Sequence, residues 1–177
     1  MPRLFAGLEI PESISGNLAE LRNGLRKARW IEPRDYHVTL RFFGDIDNKL
    51  AGEIVTQFTN IIHPPLTLAI DKLDVFGGNK PRSLFAHIAL NEELEALQKT
   101  IERKVCLAGC NPETRKFKPH ITIARIKGVS RESVAAWLQD FGNFSSDPFT
   151  VDHISIFSAR PSRGGGPYVV EQTFPLG

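Results

Sequence analysis

The sequence predicts an α+β fold, largely antiparallel, arranged as two similar lobes within a single domain spanning residues 1–177. Three observations point there. Strand-like and helix-like segments interleave, yet several strands follow one another through turns too short for a crossover helix, which a doubly wound parallel sheet would require. A strand bearing His-x-Thr-aliphatic, stopped by Gly and followed by a helix, occurs twice, as YHVTLRFFGDI from Tyr36 and PHITIARIKGV from Pro119. A chain of 177 residues is about one domain's worth, and no low-complexity stretch or long linker divides it.

The elements follow in order. Arg3–Ile10 is apolar and halts at Pro11, a strand. Ile14, Leu18, Leu21 and Leu25 recur at helical spacing, with Ser13 available as a cap. Tyr36–Phe43 is rich in β-branched and aromatic residues and is stopped by Gly44, a strand. Leu50, Ile54, Val55 and Phe58 make a second helical stripe. Leu66–Phe76 alternates into the Gly77-Gly78 turn, and Ser83–Leu90 follows as another strand. Leu94, Leu97, Ile101 and Val105 mark a third helix ending at Gly109. Pro119–Ile126 is a strand stopped by Gly128. Val134, Trp137, Leu138 and Phe141 give a fourth helix, capped by Ser130. Phe149–Phe157 and Tyr168–Phe174 are strands flanking the loop RPSRGGGP, Arg160–Pro167.

Composition narrows the class. Hydrophobic residues are 41% and charged residues 24%, so neither a disordered nor a fibrous chain fits. The longest stretch free of charge, Ile54–Ile70, contains His63, Pro64 and Pro65 and is too broken to span a bilayer. Glu9 and Glu12 fall where a signal peptide would stay apolar, so a cytoplasmic protein is expected. Cys106 and Cys110 have no partner pair that would suggest a zinc site. Net charge is only +2, but Arg22, Arg26, Lys27 and Arg29 cluster ahead of Trp30, and Arg115, Lys116 and Lys118 cluster ahead of His120. Such clustering admits a nucleic-acid partner without requiring one.

The paired motifs carry the chemistry. His37 and His120 stand 83 residues apart, each two positions ahead of a threonine, Thr39 and Thr122. From composition alone, two such motifs would arise by chance with odds of about 0.002. In a strand, residues i and i+2 share a face, so each imidazole sits beside its own hydroxyl. If the lobes face each other, two imidazoles and two hydroxyls converge. Two histidines titrating near neutrality allow one to give a proton while the other takes one. A threonine hydroxyl suits a non-bridging phosphoryl oxygen. The arrangement suits displacement at a phosphodiester.

These motifs resemble those of the two-histidine (2H) phosphoesterase superfamily. The flanking blocks RLFAGLEIP, Trp30, HVTLRFFGDI, KPHITIAR, Pro167-Tyr168 and TFPL are similar to the bacterial and archaeal RNA 2′,3′-cyclic phosphodiesterases, also called 2′-5′ RNA ligases. The resemblance implies two sheets with helices outside them around a central cleft. It implies metal-independent, cofactor-free hydrolysis of RNA 2′,3′-cyclic phosphate ends to 2′-phosphates by a monomer, and in some members reversible 2′-5′ joining of tRNA halves. Carried over by position, it makes His37 the proton donor to the leaving 3′ oxygen and His120 the proton acceptor from water. Thr39, Thr122 and Arg125 would bind the phosphate.

Arg125 poses a problem, because strict alternation turns it away from His120 and Thr122; a bulge or bend must re-aim it. Arg41, by the same alternation, shares a face with His37 and Thr39. A zinc site drawing on His63, His87 or His153 lacks any supporting spacing. Gly164-Gly165-Gly166 has no following Lys-Ser/Thr and reads as a loop near the cleft. Phe42, Phe43 and Trp30 are candidates for base stacking or for core. The competing functions are a 2H enzyme of small cyclic nucleotides such as ADP-ribose cyclic phosphate, and an RNA-binding module without catalysis.

Overall fold

Each apolar stripe that the sequence predicts finds a face to bury. The structure, a computed structural model, describes residues 3–159 and 166–177. Among them the order is β1 (Arg3–Glu9), α1 (Glu12–Ala19), β2 (Ala28–Trp30), β3 (His37–Asp45), α2 (Asn48–Phe58), β4 (Leu66–Leu68), β5 (Ile70–Phe76), β6 (Ser83–Ile88), α3 (Glu92–Ala108), β7 (His120–Ile126), α4 (Arg131–Phe141), β8 (Phe149–Val151), β9 (His153–Ala159) and β10 (Tyr168–Pro175). A short 3-10 turn, Pro33–Asp35, precedes β3.

The main sheet runs β10-β9-β1-β3-β7-β6-β5, antiparallel throughout, with β2 added to β7. Its two halves meet where β3 and β7 touch, through a single residue pair, Val38 with Ile121. This is the expected α+β pair of antiparallel lobes, joined into one sheet at the centre. Ile54 and Phe58 of α2, Leu94, Leu97, Ile101 and Val105 of α3, and Val134 and Trp137 of α4 pack with Val38, Leu40, Ile121 and Ile123 into a continuous core. Asp47, Asn91 and Ser130 cap α2, α3 and α4 by accepting from the backbone N–H three residues on. Such caps contribute about 1 kcal/mol each. No helix among the described residues is long and apolar enough to cross a membrane.

Three local expectations change. The first helix stops at Ala19, and Ser13 lies inside it rather than capping it; Leu21 and Leu25 reach the core from a turn that reverses at Gly24 (φ 79°) and Lys27 (φ 63°). The strand β2 is too short to show a period. The expected strands Leu66–Phe76 and Phe149–Phe157 each break after three residues, at Ala69 and Asp152. Their leading pieces, β4 and β8, pair with each other in a separate two-stranded ribbon.

Candidate active site

The central pair decides where the motifs meet. Val38 and Ile121 are fully buried on the helix side of the sheet. Stepping one residue outward in each direction, antiparallel pairing sets His37 against Thr122 and Thr39 against His120 on the opposite face. All four side chains are half-buried there. The four residues that the motifs single out therefore come together, and the strands cross-match each histidine with the other motif's threonine.

Arg125 joins them through the required bulge. Along β6–β7 the register jumps from Leu84–Ala124 to Phe85–Thr122, leaving Ile123 over. Ile123 and Ala124 both turn into the core, and the parity of β7 flips, so Arg125 returns to the face of His120 and Thr122. Its Nε is buried without a hydrogen-bond partner. A buried donor left bare is costly, and an incoming anion's oxygen would satisfy it.

The first lobe repeats the device at the equivalent place. Along β1–β3 the register jumps from Ala6–Arg41 to Gly7–Thr39, leaving Leu40 over. This corrects the expectation for Arg41: the bulge sends it to the helix side, 8% exposed, where Nε pairs with Glu102 at 2.6 Å and the guanidinium donates to the carbonyls of Phe42 and Asn111. Phe42 then takes the position that Arg125 holds in the other lobe and is 51% exposed, whereas Phe43 and Trp30 pack against the core.

Hydrogen bonds set both imidazoles in one tautomer. His37 Nδ1–H donates to the Asp35 carbonyl at 2.8 Å, and His120 Nδ1–H donates to the Lys118 carbonyl at 2.6 Å. A backbone carbonyl can only accept, so each neutral ring carries its proton on Nδ1 and presents Nε2 as a base. His37 Nε2 lies 3.0 Å from Thr39 Oγ1 and accepts from that hydroxyl.

Burial pushes His37 down to about 4, with the Asp35 carbonyl opposing and the charges of His120 and Arg125 adding to the effect. Phe5, Phe157 and Tyr168 supply the wall, at ring centroid distances of 4.9, 5.5 and 4.9 Å. His120 is lowered as well, by burial against the Lys118 carbonyl's opposing pull, then by Arg125 and His87; Phe76 and Phe85 stand against it at 5.0 and 5.4 Å.

An NMR titration of the imidazole Cε1–H signals should find His37 neutral down to about pH 4 in the free protein. Because the unfolded chain takes up that proton near pH 6.5, the group's contribution to stability is full above about pH 6.5 and is lost as pH falls toward 4. A midpoint near 6.5 in the folded protein would remove the aromatic wall as the controlling feature.

The other histidines have polar partners of their own. His63 donates to the Pro64 carbonyl on the surface, and His87 pairs with Asp71 at 2.6 Å. His153 lies between Asp152 and Glu9, at 2.7 and 2.5 Å; burial alone would lower its pKa, but the two carboxylates raise it. Among the described residues no three His, Cys, Asp or Glu side chains are grouped to hold a metal ion.

Asp35 and Glu9 escape sequence reasoning. Asp35 orients His37 with its carbonyl and accepts from the Tyr168 N–H with its carboxylate, while Glu9 stands cross-strand from His37. No local signal marks either one, since register and chain reversal bring them there. Gly166 packs so closely on the Asp35 carboxylate that a Cβ would collide with it. Gly164 and Gly165, named with Gly166 as a loop near the cleft, lie outside the described residues.

Comparison with known proteins identifies the family and the fold. The family model of LigT-like phosphoesterases matches residues 8–85 and 88–168. Curated relatives named RNA 2′,3′-cyclic phosphodiesterase include a Bacillus subtilis protein, 30% identical over 90% of this chain and 85% of its own length. Another, from Aquifex aeolicus, is 30% identical over 99% of this chain and 97% of its own. Among solved structures, a Thermus thermophilus protein superposes with a TM-score of 0.82 at 21% identity, covering 98% of this chain and 97% of that one. Escherichia coli LigT complexed with 3′-AMP superposes with a TM-score of 0.78 at 19% identity, covering 99% of each chain. With its two His-x-Thr strands meeting at the centre of the sheet, the chain belongs to the family of LigT-like phosphoesterases.

Proposed function

We propose that the chain hydrolyses 2′,3′-cyclic phosphate ends of RNA to 2′-phosphates. One observation carries this reading: two imidazoles, each held with Nε2 as the available base, share a face with the half-buried Arg125, whose buried Nε has no hydrogen-bond partner. His120 Nε2 takes a proton from water as its oxygen attacks phosphorus. Arg125, Thr39 and Thr122 hold the non-bridging oxygens as charge builds on them. The P–O3′ bond breaks, and His37 delivers a proton to the leaving oxygen from Nε2, leaving the phosphate on O2′.

The low pKa of His37 makes its protonated form scarce in the free protein. Binding the anionic phosphodiester offsets the Arg125 charge and raises that pKa, so the acid is loaded when substrate arrives. The curated relatives' shared name supports the RNA end as the substrate. An RNA 5′-hydroxyl in place of water would give a 2′-5′ linkage by the same steps, which would account for joining of tRNA halves. Phe42, exposed on the same face, offers a ring for a nucleobase.

The test is an oligoribonucleotide ending in a 2′,3′-cyclic phosphate, incubated with EDTA-treated protein and read by phosphorus NMR. The expected product is a 2′-monophosphate at an undiminished rate. A 3′-phosphate would reverse the substrate's orientation, and a dead sample revived by zinc or manganese would overturn the proton-transfer mechanism.

A further inference from the structure

Resting on that reading, we infer that His87, held by Asp71, completes the site of the attacking water and makes the protein favour hydrolysis over transfer to an alcohol, an RNA 5′-hydroxyl included. The supporting observation is a juxtaposition. In the β6–β7 ladder His87 stands directly opposite His120. Its neighbours Ala86 and Ile88 are fully buried on the helix side, so the His87 side chain lies on the face that holds His120 and is half-buried there.

Another bulge supplies its anchor. Along β5–β6 the register jumps from Ile70–Ile88 to Lys72–His87, leaving Asp71 over. Ile70 and Leu73 turn into the core, so Asp71 and Lys72 both stand off it. Lys72 turns to Asp74 at 3.9 Å, and the Asp71 carboxylate is left to His87, whose Nδ1–H donates to it at 2.6 Å.

This bond fixes both the tautomer and the direction of the ring. An ionised carboxylate can only accept, so neutral His87 keeps its proton on Nδ1 and presents Nε2 as an acceptor. Since β5 and β7 flank β6 on opposite sides, tying Nδ1 to β5 turns the ring edge that carries Nε2 toward β7 and His120. Among the described residues nothing bonds to that Nε2. The two rings also feel each other electrically, since a charge on His87 disfavours one on His120.

The nucleophile enters opposite the leaving O3′, which His37 attends, and so on the His120 side. Water has two O–H bonds. His120 Nε2 takes one proton, and His87 Nε2 accepts a hydrogen bond from the other, which aims a lone pair at phosphorus. Cross-strand neighbours have Cβ atoms about 5 Å apart, close to the span of two hydrogen bonds of about 2.8 Å through one oxygen. An alcohol has a single O–H. His120 takes that proton, the new P–O bond forms as P–O3′ breaks, and His37 gives a proton to O3′ as before. The alcohol's carbon then lies against His87 Nε2 and leaves that acceptor bare.

The experiment is a competition. Cytidine 2′,3′-cyclic phosphate is turned over at about pH 8, above the ordinary imidazole value, in a water–methanol mixture. Phosphorus NMR reads the ratio of the 2′-phosphate methyl ester to the 2′-monophosphate. His87→Leu fills the same space without an acceptor and should raise that ratio about ten-fold, the worth of one hydrogen bond to water. His87→Gln, whose amide oxygen accepts, should bring it back toward the wild-type ratio. Asp71→Ala should raise it, and Asp71→Asn, which keeps an acceptor for Nδ1–H, should not. Both products come from one active site, so a partly unfolded sample or a general loss of rate leaves the ratio in place.

An unchanged ratio in His87→Leu, or a rise that His87→Gln does not reverse, would overturn the inference. Wild-type protein that forms neither product would sink the phosphodiesterase reading alone. Nitrogen-15 spectra of the imidazoles with inorganic vanadate, whose five-coordinate form places an oxygen where the nucleophile enters, then judge His87. The inference stands if its Nε2 signal moves together with that of His120, and falls if the His87 signal stays in place.

Discussion

His37→Ala is expected to lose about 10²–10⁴-fold in turnover of an RNA cyclic phosphate, the usual cost of removing one proton-transfer group. Much of that loss should return when the 3′ bridging oxygen is replaced by sulfur. An alkoxide leaves poorly without a proton, whereas a thiolate does not need one, so the acid's work disappears with the oxygen. His120→Ala should fall as far on the natural substrate and recover nothing on the sulfur one, because water must still be deprotonated to attack.

The two imidazoles are near-equivalent in their backbone anchors, so this comparison is the one that separates their roles. Rescue of His120→Ala alone would exchange acid and base. Rescue of neither would mean that both histidines chiefly stabilise phosphoryl charge. Both variants should keep the wild-type circular dichroism, since each ring lies on the face opposite the helix-side core.

Arg125→Gln is expected to lower kcat/KM by about 10²–10³-fold, the range for removing one preorganised contact to developing charge. It should also move the pH profile in a definite direction. The Arg125 charge helps to depress both His37 and His120, so without it both imidazoles bind protons more readily. The acid limb, where His120 must be unprotonated, then shifts to higher pH; a limb that stays in place or moves down would remove Arg125 from the electrostatics of the site.

Arg41→Gln provides the contrast. That arginine lies on the other side of the sheet in a mostly buried pair with Glu102, so its loss should cost a few kcal/mol of stability, read as a lower Tm. The folded fraction should keep its kcat. A large fall in kcat with unchanged Tm would return Arg41 to the site.

The strands, helices and paired motifs are legible locally, because side-chain direction repeats every two residues in a strand and every 3.6 in a helix. His37 with Thr39, and His120 with Thr122, could be placed on common faces from spacing alone, and their repetition along the chain implied two lobes. The chemistry proposed for them is legible for the same reason, since it depends on residue type at i and i+2.

The partners of those groups are set by register, which no local pattern encodes. One leftover residue in each central strand, Leu40 and Ile123, reverses the parity beyond it. That single step sends Arg41 to Glu102 and brings Arg125 back beside the histidines. It also leaves Phe42 in the first lobe where the second has its arginine. Alternation alone assigned the two arginines the other way round, because a bulge arises from the fit between neighbouring strands and not from either strand by itself. Asp35, Glu9 and the aromatic walls around the imidazoles come likewise from segments far apart in the chain. Spacing determined which side chains share a face within each strand, and the packing of distant strands decided what surrounds them, how strongly the imidazoles hold protons and which arginine lies beside them.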